Sequence, residues 1–477
     1  MNGYETLRQM ATEAGVRVPD LLAMHRSNDP FYCGSPAQVE QARWFVALID
    51  RYSFAYAFHL RRVHYRIVSE REPVSMVDGR PYQNTERCWS YLCNAGKAAR
   101  TLGLLDARRF VDQRNPAPSI YREEPSGNDP SIWLPEIAGL ELPGIDAELA
   151  APDFDLPEPE VLGYRYSGAD QPYLLEVWIE KTTQNDILRP LCQRFGMNLV
   201  PAAGFQSITA AVNLIDRVRQ TGKPGRVLYV SDFDPAGDKM PIAVARQVEY
   251  HLQATPADVS LHRLALTAEQ VAAYDLPRIP IKESDLRRAN FEAKHGTGAV
   301  ELDALEALHP GTLKALVTDA ARGYFDTDLP ELAADTEAEA QAAVELEWRD
   351  RTAEERTALD GLRTEAATIL NRYRPMLQTL AADLDANLEP LRQQADIIAE
   401  AVRDKARDFD PDLPPRAESD LEPPDESAWL FDSRRGYFDQ LAAYANEKGP
   451  AAVTTEPLLN HPPENNLQPS TRPCKAP

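Results

Sequence analysis

Apolar runs alternate with amphipathic stretches between residues 173 and 266, and this alternation is the clearest pattern in the chain. Tyr173 to Glu180 (YLLEVWIE), Asn198 to Val200, Val227 to Val230 and Val259 to Leu266 (VSLHRLAL) read as strands. Helical spacing fills the gaps: Asn185 to Phe195, Gly204 to Arg219 and Asp238 to Leu252. Strand and helix signals in alternation predict a parallel sheet with right-handed crossovers, an α/β core over residues 173–325.

The flanking segments read differently. Residues 1–40 are peripheral, with a short helix from Tyr4 to Glu13 and turns at Asp29-Pro30 and Ser35-Pro36. Two amphipathic helices follow over 37–70, the second from Phe54 to Ser69. Asn84 or Thr85 caps a further helix that runs through Leu102 to a stop at Gly103, with Trp89, Leu92, Cys93 and Gly96 facing inward. Leu104 to Asp112 reads as a short strand. Over 41–115 this order resembles a winged helix, and a small helical domain is the alternative. Residues 116–172 are a Pro-rich linker with a short strand at Ser131-Ile132-Trp133. Over 336–409 a heptad seam runs through Leu359, Leu362, Ala366, Ile369, Tyr373, Met376 and Leu380. It shifts through Leu384 and Leu388 and resumes at Leu391, Ala395, Ile398 and Val402. Pro375 and Pro390 predict kinks or a helical hairpin. Two readings stand for this arm: a dimerising coiled coil, or an arm packed within its own chain. Residues 410–477 read as mostly disordered, apart from aromatics at helical spacing between Trp429 and Asn446, with a short helix near 433–446.

Composition narrows the class. The chain has 477 residues, 43% hydrophobic and 26% charged, enough for two or three domains with a sizeable core. No apolar run is long enough to cross a bilayer, and the N-terminus carries no secretory pattern, so no membrane role is expected. The five cysteines (Cys33, Cys88, Cys93, Cys192, Cys474) form no CxxC pair. Reduced thiols and a cytoplasmic location are the plain reading. The net charge of −23 argues against a general nucleic-acid coat protein. Yet residues 43–122 hold 14 Lys and Arg against 7 Asp and Glu, a local +7 in a chain otherwise at −30. A basic module suggests a local anionic partner; pairing with the acidic remainder is the alternative.

Two of the strands end on acids. The first closes on Glu180-Lys181. The other stops at Ser231 and continues Asp232-Phe233-Asp234, then Pro235-Ala236-Gly237, a tight turn into a helix. Such positions, at the carboxyl ends of parallel strands, are where open α/β sheets form ligand crevices. Alternate residues of an extended chain point the same way, so Asp232 and Asp234 can share a hard cation. Mg²⁺ suits oxygen ligands and takes one or two carboxylates. A helix cap plus a solvated charge is the plainer alternative for a lone DxD. Glu180 lies 52 residues before Asp232, and the two converge if their strands are neighbours.

These residues carry a resemblance. Glu180 with Asp232-x-Asp234 resembles the Toprim domain of topoisomerases, primases and related nucleases. DFDPAG is similar to the DxDPxG form of the A subunit of type IIB topoisomerase (topoisomerase VI) and its relative, the meiotic double-strand-break transesterase. LALTAEQVAAYDLPRIPIKESDLR and VELDAL are similar to bacterial and phage members of that group. The likeness spans roughly residues 40 to 320; the helical arm at 336–409 is not part of the A-subunit pattern.

The resemblance implies a fold and a chemistry. It implies a winged-helix domain, then a Toprim domain with a Rossmann-like parallel sheet, then the helical arm. Glu180, Asp232 and Asp234 would hold Mg²⁺ beside a scissile phosphate, with Glu180 alternatively a general acid/base toward the leaving oxygen. Arg61-Arg62-Val63-His64-Tyr65 matches the family's spacing of Arg, three residues, Tyr. Tyr65 is then the nucleophile with Arg61 beside it. A phenol is a weak nucleophile at neutral pH, so metal and cations must stabilise the developing charge. A core tyrosine is the alternative, and His59 and His64 read as packing or phosphate contacts. Arg62, Arg66, Arg87, Lys97, Arg100, Arg108, Arg109, Lys181 and Lys282 are the candidate DNA contacts. Glu301 and Asp303 are outer metal ligands or ordinary strand-end charges, the second being preferred. Related enzymes act as dimers in which the tyrosine of one protomer meets the metal of the other, so a homodimer is expected. No GxxxxGK[ST] loop is present, so strand passage would need a separate ATPase subunit. The expected function is Mg²⁺-dependent DNA cleavage by tyrosine transesterification. The alternatives are a metal-dependent hydrolytic nuclease and a non-catalytic DNA-binding or assembly protein.

Overall fold

The computed structural model describes residues 3–22, 32–54, 57–111, 116–124, 129–135, 155–201, 207–253, 255–373 and 381–446. It is a mixed α/β structure that divides into two compact units. The first comprises Met1–Tyr121, Tyr173–Gly323 and Pro423–Pro477; the second comprises Arg122–Pro172 and Tyr324–Glu422. The described strands are β1 (Ser131–Trp133), β2 (Glu160–Leu162), β3 (Leu174–Ile179), β4 (Asn198–Pro201), β5 (Gly225–Val230), β6 (Val259–Ala265) and β7 (Phe431–Asp432).

The first unit holds a five-stranded sheet in the order β4-β3-β5-β6-β7. The first four strands are parallel, and β7 joins β6 antiparallel at the edge. Every residue of β3, β4 and β5 is buried. This is why these segments read as continuous apolar runs rather than alternating ones. Two charged side chains are fully buried within these strands, Glu176 of β3 and Arg226 of β5. Glu176 takes two hydrogen bonds from Arg217, at 2.6 and 2.8 Å. Trp178 Nε1 and Asn198 Nδ2 complete its shell at 2.8 and 3.1 Å. Arg217 lies on the helix Ile208–Thr221, so the ion pair ties that helix to β3. The register of β3 and β5 runs from Leu174 opposite Gly225 to Ile179 opposite Val230. Both strands stop in step, which brings their terminal acids together.

The N-terminal module packs the helices Pro36–Arg51, Leu60–Val68 and Glu86–Thr101 around Phe45, Leu48, Val63, Ile67, Leu92, Ala95 and Phe110. Ser35 and Gln38 form a capping box on the first helix, and Thr85 caps the third through the Cys88 N–H, as its sequence predicts. A tight hairpin lies between the second and third helices, closed by Met76 N to Arg80 O and Tyr82 N to Val74 O, both at 2.8 Å. Two expectations shift. The second helix begins at Leu60, not Phe54, because Phe58 is drawn into a bridge with Phe110. Ala107–Arg109 is a 3₁₀ turn where a strand was expected, because the Asp106 side chain accepts the Arg108 N–H at 2.9 Å and folds the chain back.

The stretch from Trp429 to Asn446 was expected to be helical. Its first part instead supplies the edge strand β7, with Phe431 buried in the sheet core, and only Tyr437–Asn446 is a helix. The expected disorder does not hold over 410–428: in the second unit Tyr164 Oη donates to Pro414 O at 2.7 Å and Arg416 pairs with Asp170 at 2.7 Å. Residues 447–477 lie outside the described residues, as do Pro375, Met376 and Leu380.

In the second unit β1 and β2 form an antiparallel pair. The helices Ala353–Tyr373 and Ala381–Arg407 form an antiparallel hairpin: Asn387 Nδ2 donates to Tyr373 Oη at 3.0 Å near one end, and Lys405 pairs with Glu355 at 2.7 Å near the other. Leu359, Leu362, Ala366, Ile369, Leu384, Leu388, Leu391 and Val402 bury their side chains in one cluster. The heptad seam is thus closed within the chain. Among the described residues no helix is long and apolar enough to cross a membrane.

Candidate active site

Glu180 and Asp232 sit just beyond the ends of β3 and β5, on neighbouring parallel strands. The Glu180 N–H donates to Val230 O at 3.2 Å, which continues the ladder by one step and sets the Glu180 side chain beside the DxD turn. Asp232 is 5% exposed. Its Oδ1 accepts the Leu302 N–H at 2.8 Å, and Lys181 Nζ lies 2.6 Å from its Oδ2. Lys181 also pairs with Glu301. Phe233 exchanges two backbone hydrogen bonds with Val300, each 2.9 Å, and these hold the segment bearing Glu301 and Leu302 against the DxD turn.

The turn itself is built by Asp234 and Gly237. Asp234 Oδ1 accepts the N–H groups of Ala236 and Gly237 at 2.9 and 2.6 Å. This is the capping role given by the plainer reading of the motif, and it fixes the loop that carries Asp232. Gly237 packs where a Cβ would come within 2.0 Å of the Asp232 carbonyl oxygen. The glycine of DFDPAG is therefore required by close backbone approach.

The electrostatics follow from this packing. Burial raises the Glu180 carboxyl to about 7, helped by the charges of Asp232 and Asp234. Its Oε2 is buried and unpartnered, a costly state for a charged carboxylate. For Lys181, burial pulls the ammonium down, and the Asp232 and Glu301 carboxylates more than offset it, so its pKa lies above the ordinary lysine value. Asp238, the third acid of the motif, lies behind the turn. Burial opposes its charge, but Arg263, Lys239 and Lys294 overcome this and hold it down to about 2. Arg263 and His295 approach its Oδ1, each at 3.3 Å.

Among the described residues no group of three His, Cys, Asp or Glu side chains stands ready to hold a metal ion. Asp234 Oδ1 is turned to backbone N–H groups, and Lys181 already occupies Asp232 Oδ2. The donor set still fits a hard cation in part. Glu180 Oε2 is a buried oxygen without a partner, and Asp232 Oδ2 faces the Lys181 ammonium.

Tyr65 belongs to a separate surface cavity of about 250 Å³, lined by Arg61, His64, Tyr65, Asn84, Thr85, Glu86 and Trp89. It is 57% exposed, so it is not the core tyrosine of the alternative reading. His64 is the buried one, with Tyr82 Oη at 2.8 Å and Asn84 Oδ1 at 3.1 Å, and it supports packing as expected. His59 caps its helix through the Arg61 N–H. The lining of this cavity shares no residue with the acidic site of the same chain.

The candidate DNA contacts divide into two groups. Arg61, Arg62, Arg66 and Arg87 are exposed on the second and third helices, although Arg66 also reaches Glu70 at 3.3 Å. Arg100, Arg108 and Arg109 are instead engaged inside the first unit. Arg108 makes a bidentate pair with Asp216 at 2.8 and 2.6 Å. Arg100 stacks over Phe110 at 4.2 Å and reaches Thr209 at 3.4 Å. Arg109 donates to the Phe54 carbonyl, and Lys97 lies near Cys33, whose thiol is pushed up by burial despite the Thr101 hydrogen bond and the Lys97 charge. Lys282 is exposed.

Sequence reasoning missed Arg287. Asp285 grips its guanidinium at 3.0 and 2.9 Å, and Asp234 and Glu180 both stabilise its charge. It lay within IKESDLR, where no spacing rule separates it from Arg288. The reading of Glu301 as a strand-end charge is incomplete, since it pairs with Lys181. Asp303 accepts a hydrogen bond from Gln184 at 2.5 Å. No family model and no curated protein matches this chain.

Proposed function

We propose that this protein is a Toprim-type, Mg²⁺-dependent enzyme that cleaves DNA by tyrosine transesterification. The observation that carries the reading is the convergence of Glu180 and Asp232 at the carboxyl ends of adjacent parallel strands, on a turn whose glycine admits no side chain. Glu180 and Asp232 would hold the ion, with Asp234 shaping the loop. A bound Mg²⁺ would supply charge stabilisation at a phosphoryl oxygen. The chain's own groups do the rest. In the alternative in which Glu180 does not ligate the ion, its raised carboxyl suits proton transfer to a leaving oxygen. Lys181 and Arg287, the cations beside these acids, would counter phosphate charge in the proposed reaction.

Tyr65 is exposed on a helix with Arg61, Arg62 and Arg66, an arrangement that offers a phenol to a phosphodiester held by cations. Its Oη forms the bond to phosphorus, one sugar–phosphate P–O bond breaks, and the phenolic proton ends on the released sugar hydroxyl. The Tyr65 cavity and the acidic site share no lining residue; in this proposal the tyrosine of one protomer of a homodimer serves the acids of its partner. Strand passage then needs a separate ATPase subunit.

The test is cleavage of supercoiled plasmid with Mg²⁺, stopped by denaturant and split with and without protease. DNA that enters the gel only after proteolysis supports the transesterase, and Tyr65→Phe should abolish this capture while DNA binding persists. Free cut DNA with an active Tyr65→Phe would instead establish hydrolysis. Tight duplex binding without cleavage would point to an assembly protein.

A further inference from the structure

The cavity around Tyr65 holds two opposite charges that do not meet. Arg61 and Glu86 both line it, the first on the helix Leu60–Val68 and the second at the start of Glu86–Thr101. Both are exposed, and among the described residues neither side chain makes an ion pair or a hydrogen bond. The buried part of the lining is aromatic. His64 is held by Tyr82 Oη at 2.8 Å and Asn84 Oδ1 at 3.1 Å. Its ring meets those of Tyr65 and Trp89 edge to face, with centroids at 5.2 and 5.4 Å. The cavity, about 250 Å³, has the volume of about eight waters, room for one bicyclic ring.

The charges select what fits. A phosphate would gain from Arg61 and be repelled by Glu86, and a cation would meet the reverse. A neutral planar ring with acceptors on one edge and donors on another satisfies both. Guanine is such a ring. Its O6 and N7 accept from an arginine, and the N–H groups of its Watson–Crick edge donate to a carboxylate. No other DNA base offers two adjacent donors to a carboxylate together with two acceptors to a guanidinium. That donor edge is accessible only when the base has left its pair, and Trp89 and Tyr65 supply rings for it to stack on.

We propose that this cavity takes the guanine base of an unpaired nucleotide, with Glu86 on its Watson–Crick edge and Arg61 on O6 and N7. The inference rests on the DNA reading above and adds a base preference that needs no metal. Tyr65 then lies next to the sugar–phosphate of that nucleotide, and Arg62 and Arg66, exposed on the same helix, remain for the backbone.

The experiment is anisotropy of labelled duplexes with the full chain, in EDTA and at one fixed salt concentration. The duplexes share one sequence and are either fully paired or carry a single extrahelical G, A, C or T. The extrahelical G should bind about tenfold tighter than all the others, within the range of one good bidentate contact. Glu86→Ala should erase that preference and leave the paired duplex bound as before. Inosine at the extrahelical position lacks the 2-amino donor, so it should lose most of the gain with wild type and cost nothing further with Glu86→Ala. The analogue 7-deazaguanine lacks N7 and should behave in the same way toward Arg61→Gln. Should a variant not fold, these two analogues decide with wild type alone: binding equal to guanine by both overturns the proposal. Equal affinity for all extrahelical bases also overturns it, as does a guanine preference that survives Glu86→Ala. A Glu86→Ala that weakens every duplex equally would mark a structural role and reject the site. No binding to any duplex would reject the DNA reading and this site with it. A guanine preference in a protein that never becomes linked to DNA would uphold the site and remove only the transesterase chemistry.

Discussion

Gly237 offers the most direct test of the acidic turn at the level of single residues. A methyl group there would sit 2.0 Å from the Asp232 carbonyl oxygen, so Gly237→Ala must displace the loop. The expected cost is about 1–3 kcal/mol in urea unfolding, typical of forced overpacking, together with loss of the cleavage proposed above; an unperturbed midpoint would contradict the packing. Glu180 gives a pH signature. Its carboxyl titrates at about 7 in the folded chain against 4.5 for the ordinary group, so the folded state holds the proton more tightly. The stability this confers is complete below the lower value and is lost as pH rises through the upper one. Glu180→Gln should therefore melt higher than wild type in metal-free buffer at pH 8 and lose that advantage in acid. A melting difference that does not change with pH would show that Glu180 is not raised. These residues were legible in different degrees. The acids and the glycine stood out as DFDPAG, whereas Arg287 did not, because a lone arginine in a charged run carries no periodic mark.

At the level of elements, the sheet strands and most helices followed from apolar runs and caps. The exceptions have two causes: a local side-chain cap turns Ala107–Arg109, and elsewhere contacts distant in sequence override local preference. Phe431 pairs along β6 and so becomes strand within a segment spaced as a helix. The heptad seam of the arm gave no way to choose between a partner chain and a partner helix, since both bury the same stripe. The ion pair between Arg217 and Glu176 makes a prediction here. Arg217→Met would leave a fully buried carboxylate unpaired, at a cost of about 3–5 kcal/mol in denaturant titration. Adding Glu176→Gln should recover part of it, because the amide no longer brings a charge into the sheet. Equal destabilisation by the single and double variants would mean that the pair does not join helix to strand.

Across the whole molecule, charge is partitioned by unit. The second unit carries 13 Lys and Arg against 37 Asp and Glu, a net −24, and the first carries 38 against 37. The acidity of the chain therefore says nothing against an anionic ligand on the first unit, where the exposed Arg61, Arg62, Arg66 and Arg87 lie. If these four bind phosphate, the slope of log K against log salt should fall by about 0.9 for each arginine that is changed to Gln. Anisotropy of a labelled duplex across a KCl series measures this, and slopes that match wild type would place DNA elsewhere. The sequence by itself determined the α/β core, the strand-end acids, the turn and its glycine, because burial and chain stiffness write these into residue type at fixed spacing. Tertiary structure alone decided that β3 and β5 are neighbours, that Arg108 faces Asp216 while Tyr65 faces solvent, and that Lys181 holds Asp232. Those outcomes depend on which distant surfaces meet, and no local pattern encodes that.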